Sequence, residues 1–64
     1  MRVIIRKDNT VREIEGKHTV GNILRLLDIN PEAVLVLKDG KPVTRDVVVG
    51  GDEEIEILPV MSGG

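Results

Sequence analysis

Only one stretch of this chain carries helical periodicity, and it is short. Val20, Ile23, Leu24 and Leu27 fall at i, i+3, i+4 and i+7, which places one apolar stripe on a helix of two to three turns. Thr19 stands directly before it, and its hydroxyl can accept a free backbone N–H of the first turn. Asn30-Pro31 follows and is expected to stop the helix, with Ile29 packing just beyond its end. A single short helix cannot enclose a core. It has to lie on something, and the rest of the chain reads as sheet.

Two strands precede the helix. Val3-Ile4-Ile5 opens the first, Asp8-Asn9 marks a turn, and Thr10 to Glu15 reads as its hairpin partner. Gly16-Lys17-His18 breaks that strand. After the helix, Val34-Leu35-Val36-Leu37 is a continuous apolar run, as expected of a central strand contacted on both faces. Asp39-Gly40 is a strong turn signal. Lys41-Pro42-Val43 is restricted to a short edge strand, because proline cannot donate to a ladder. Thr44 to Val49 reads as a connection with its own apolar plug. Ile55 and Ile57 alternate with Glu54 and Glu56, giving a last strand with one buried face that Pro59 ends.

The order is strand, strand, helix, strand, short strand, strand. A hairpin, a crossover helix and a return hairpin make an α+β fold of the β-grasp type. Its mixed sheet has four to five strands, with the first and last parallel and adjacent at the centre. A ferredoxin-like split would need a second helix, and Thr44 to Val49 is too short and too β-branched for one. Residues 1–59 are expected to form the domain and residues 60–64 a flexible tail.

Composition narrows the function. With 64 residues the core is small and leaves little room for an enclosed active site. There is no cysteine, so a disulfide scaffold, a thiolate metal site and a cysteine nucleophile are excluded. The single histidine, His18, has no partner for a metal and reads as a solvated turn residue; no metal is expected. Ser62 lies outside any nucleophile pattern. Gly50-Gly51 lacks the spacing of a phosphate loop. The net charge is −2, the basic residues form no stripe and no aromatic residue is present to stack on bases, so nucleic-acid binding is not expected. Neither a signal peptide nor a membrane-length apolar run is legible, and a cytoplasmic protein is the expectation. Asp52, Glu53, Glu54 and Glu56 read as a solvated turn and face.

The C-terminus is different. The last strand runs into a short tail that closes on Gly63-Gly64. A carboxylate is a poor electrophile until its oxygen is made a leaving group, as in an acyl adenylate. Two glycines thread a narrow channel and leave the reacting carbonyl unobstructed. Counting alternation back from Ile55 and Ile57, Leu58 points away from the helix, and Ile4, Leu35 and Leu37 share that open face. With Val60 and Met61 at the start of the tail, these form an expected partner surface.

Several segments together resemble a known family. They are Thr19-Val20 opening a helix that reads Ile23-Leu24-Arg25-Leu26-Leu27, the run Val36 to Val43 around Asp39-Gly40, Gly51 to Ile57, and Pro59 to Gly64. Over its full length the chain resembles the ThiS/MoaD-type ubiquitin-like sulfur carriers. The resemblance implies that a ubiquitin-activator-like adenylating enzyme, using ATP that the carrier itself does not bind, activates the Gly64 carboxylate, with Gly63 giving access. A sulfur donor then makes a thiocarboxylate. A sulfur-accepting biosynthetic enzyme for thiamine, the molybdenum cofactor or thiolated tRNA receives the sulfur. The chain would be a carrier, not an enzyme. Two alternatives stand beside it: a modifier joined to target lysines through the same adenylate, and a β-grasp binding module with an inert tail.

Overall fold

The computed structural model describes residues 1–60. Strand β1 (Arg2–Ile5) pairs antiparallel with β2 (Thr10–Glu13) through a turn in which Asn9 takes a left-handed φ of 57°. The Asp8 carboxylate accepts the Thr10 hydroxyl there at 2.9 Å. Two short segments, β3 (His18–Thr19) and β6 (Val48–Val49), pair with each other outside the main sheet. Helix α1 (Val20–Leu26) follows β3 directly. A 3₁₀ turn (Pro31–Ala33) leads into β4 (Val34–Lys38), then β5 (Lys41–Pro42), and the chain returns through β7 (Glu54–Pro59). The five-stranded sheet has the order β2-β1-β7-β4-β5, with β1 and β7 parallel at its centre. This is the expected β-grasp.

The core lies between α1 and one face of the sheet. Val20, Ile23 and Leu24 from the helix meet Val3, Val36, Ile55 and Ile57 from the strands, and Met1 and Val49 close the rim. Each such side chain contributes about 1.5–3 kcal/mol by leaving water. Met1 is also anchored through its backbone. Its ammonium group donates to the Ile14 carbonyl at 2.6 Å, and its own carbonyl accepts the Ile14 N–H at 3.0 Å.

The helix ends are built from local chemistry. The Thr19 hydroxyl accepts the Asn22 N–H at 3.2 Å. The loop before β6 supplies two further acceptors: Val47 to the Val20 N–H and Arg45 to the Gly21 N–H, both at 2.9 Å. The free donors of the first turn are thereby met. At the other end the helix closes at Leu27 with Ile29 just beyond it, as expected, but Asp28 and not Asn30-Pro31 supplies the stop. Asp28 turns left-handed at φ 57°, the Ile29 N–H bonds back to Leu24 at 2.8 Å, and the Asp28 N–H bonds to Arg25 at 3.1 Å. That is a Schellman closure with aspartate where glycine is usual. Pro31 then opens the 3₁₀ turn, whose first free donor, the Glu32 N–H, is capped by Asn30.

Three further expectations are corrected. Strand β2 ends at Glu13, although Ile14 still exchanges both backbone bonds with Met1 in the same register. The apolar run of β4 is covered on one face only: Val36 is buried while Leu35 is 40 % exposed. His18 lies in β3, where both ring nitrogens are bonded. The Asn22 amide donates to Nδ1 at 2.8 Å, since its oxygen is taken by Arg25, and Nε2–H then donates to the Glu15 carbonyl at 3.0 Å.

Candidate functional site

The face of the sheet turned away from α1 is read directly from the strand register. Ile4 stands beside Val11 on one side and Glu56 on the other, and Glu56 stands beside Leu37, which stands beside Pro42. One row thus crosses the sheet with an aliphatic residue on each side of a central carboxylate. The next row toward the tail carries Leu35 directly opposite Leu58. Ile4, Leu35, Leu37 and Leu58 therefore share the open face, as strand alternation requires once Ile55 and Ile57 are buried. Leu35 is exposed and the other three are half-buried.

Strand counting missed three features of this face. Val11, 48 % exposed, extends it across β2, and Pro42 extends it across β5. Glu56 sits at its centre and is ion-paired with the Arg6 guanidinium. The alternation of β7 marked Glu56 as outward-facing, but its partner lies fifty residues away and carries no local signal.

The end of β7 is tied down just before the tail. The Val60 N–H donates to the Ala33 carbonyl at 2.9 Å, fastening the strand exit to the 3₁₀ turn. Val60 is 48 % exposed. On the helix side of this exit lies an open cleft of about 380 Å³, lined by Ile5, Ile29, Val34, Ile57 and Val60 among others. Met61, Gly63 and Gly64 lie outside the described residues.

At the far end of β7 the turn Gly50–Glu53 is held by a clasp. Glu53 accepts the Gly50 N–H at 2.7 Å and the Lys38 ammonium at 2.8 Å. The bond from Lys38, and then that from Gly50, hold the Glu53 carboxyl below its ordinary value. The same bond to Glu53 raises Lys38. Among the described residues no group of three or more His, Asp or Glu is placed to hold a metal. Among the same residues no helix is long and apolar enough to cross a membrane.

A mixed sheet with parallel central strands, one crossover helix and an open aliphatic face defines a ubiquitin-like β-grasp protein. Residues 1–61 match the family described as Small archaeal modifier protein 2, and the chain belongs to that family, within the ThiS/MoaD-type ubiquitin-like proteins. An uncharacterized protein of Archaeoglobus fulgidus is 44 % identical over 52 residues, 81 % of this chain and 75 % of that one. The sulfur carrier protein TtuB of Thermus thermophilus is 29 % identical over the full length of both chains. Small archaeal modifier protein 2 of Haloferax volcanii is 28 % identical over 95 % of this chain and 91 % of its own. Among solved structures, the thiamine biosynthesis protein ThiS of Geobacter metallireducens superposes over both whole chains with a TM-score of 0.70 at 22 % identity, a likeness of fold. Of these relatives, one is named a sulfur carrier and one a modifier.

Proposed function

We propose that this chain is a sulfur carrier whose reactive group is the C-terminal carboxylate of Gly64. The adenylating partner supplies ATP; the carboxylate oxygen attacks the α-phosphate and pyrophosphate leaves. The acyl adenylate then takes sulfur from a donor and releases AMP, giving a thiocarboxylate that a biosynthetic enzyme consumes. The chain contributes no acid, base or metal to these steps. It contributes a recognisable body, a fixed point of departure and a slender end. Its body is residues 1–59, and residues 60–64 are the tail. The observation that carries the reading is the Val60 anchor. A backbone bond fixes the tail root to the folded domain three residues before the Gly63-Gly64 pair. The full-length likeness to a sulfur carrier supports it.

The open face, with Ile4, Leu35, Leu37 and Leu58, is the surface on which partners dock. Aliphatic side chains left half-covered gain by being covered, and Arg6–Glu56 fixes polar register among them. Val60 and Met61, the next residues toward Gly64, would be met by the same partner as it reaches the reactive end.

A second reading is favoured by the family itself, whose description is that of a modifier. The same adenylate, attacked by a lysine amine, gives an isopeptide bond and AMP. Intact-mass spectrometry separates the two after incubation with ATP, an adenylating enzyme and sulfide. A gain equal to sulfur minus oxygen, lost when Gly64 is deleted, is the carrier result. Gly-Gly remnants on lysines of other proteins, without that gain, are the modifier result. Neither product, and no adenylate, leaves a binding module with an inert tail.

A further inference from the structure

The core is closed in the middle of the sheet and open at one end. On the helix-facing side, Val3, Val36, Ile55 and Ile57 are buried, yet Ile5, Ile29 and Val34 remain only half-covered. These three, together with Ile57, line the cleft of about 380 Å³ beside the strand exit. Its lip is formed by Ala33 and Val60, the two residues joined by the anchoring backbone bond. The exposed Lys7 and Asp28 border it. The chain has no aromatic residue that could close such a gap from within. The open face described above lies on the opposite side of the sheet, so the two surfaces are separate.

We propose that this cleft receives a bulky apolar side chain of the adenylating partner, which grips the tail at its root. The inference rests on the carrier reading and adds a second contact to it. Gly64 is four residues beyond Val60, and even a fully extended chain puts it at most about 14 Å away. An enzyme that acts on Gly64 therefore has to bring its surface up to Val60 and over the mouth of the cleft. The walls that it meets there are aliphatic, with charge only at the border. An apolar side chain entering the cleft removes more hydrocarbon from water and adds no unpaired polar group. Seated against Ile29 and Val34, it fixes where the tail begins, and so where its end can reach.

Ala33→Leu tests this by filling the mouth from the carrier's own side. Ala33 is exposed and its backbone bonds are kept, so the fold is expected to stay intact by circular dichroism. In ATP–pyrophosphate exchange with the adenylating enzyme, KM for the carrier should rise by about tenfold or more with kcat little changed, as for loss of one buried anchor. A folded Ala33→Leu with wild-type KM overturns the proposal while leaving the carrier reading in place. No exchange with the wild-type chain removes both. If Ala33→Leu does not fold, isotope-filtered NOEs on the wild-type complex decide. Contacts from partner side-chain protons to the Ile29 and Val34 methyls support the proposal. Methyls unaffected by the partner, or filled by Met61 of the same chain, overturn it.

Discussion

Replacing Leu35 by aspartate separates docking from folding, because Leu35 is divided between the two. It is 40 % exposed in the free chain. Full burial of a leucine side chain is worth about 1.5–3 kcal/mol, so a partner covering the open part gains about 0.6–1.2 kcal/mol, a factor of about three to eight in affinity. Aspartate forfeits that and also has to be desolvated beneath the partner. Together these should lower kcat/KM for carrier adenylation by about tenfold or more, through KM. The part of Leu35 already covered holds about 0.9–1.8 kcal/mol of folding stability, which lowers the melting temperature by about 4–14 °C. The assay is ATP–pyrophosphate exchange over a range of carrier concentrations, run well below the variant's melting point. Leu26→Asp is the control: Leu26 is 57 % exposed but lies on the helix, away from the open face, and its KM should not move. A folded Leu35→Asp with wild-type KM, or an equal effect from Leu26→Asp, would refute the docking face.

Three other perturbations probe the scaffold. Ile57→Ala, at a residue 1 % exposed in the core, should cost about 2–5 kcal/mol by urea denaturation, enough to threaten a domain of this size. Gly40→Ala adds a Cβ that meets nothing within 4 Å, yet φ is +76°, so it should cost about 1–2 kcal/mol from backbone strain alone. Glu53→Gln breaks the clasp to Lys38 and should lower stability at neutral pH. Because the Glu53 carboxyl is held below 4.5, the wild type should lose its advantage as pH falls through that lowered value. Because Lys38 is raised above 10.5, the advantage should fade again only as pH climbs past it. Thermal melting across pH checks both limbs, and parallel curves for the two proteins would contradict the clasp.

Much of this molecule was legible in the sequence, for reasons that differ by segment. Thr19 could be placed as a cap because its signal is local and is followed at once by apolar residues at helical spacing. Ile4, Leu35, Leu37 and Leu58 could be placed on one face because alternation transmits the phase of Ile55 and Ile57 through the whole sheet. The end of α1 was placed within a residue, but its stop was assigned to Asn30-Pro31 rather than to Asp28, because left-handed aspartate leaves little trace in sequence. The β3–β6 pair was missed because each partner is two residues long and the pairing spans about half the chain. The Arg6–Glu56 pair, the Val60 anchor and the cleft depend on contacts between distant segments, which no local pattern encodes.

The ammonium of Met1, bonded to Ile14 while its side chain fills the rim of the core, bears on how this protein can be handled. A purification tag fused ahead of Met1 would turn that ammonium into an amide, remove its charge and crowd the carbonyl that receives it. A tag after Gly64 would cap the group on which the proposed chemistry depends. An insertion at Gly51-Asp52, an exposed turn at the opposite end of β7 from the tail, would spare both ends but interrupt the turn that Glu53 clasps to Gly50 and Lys38.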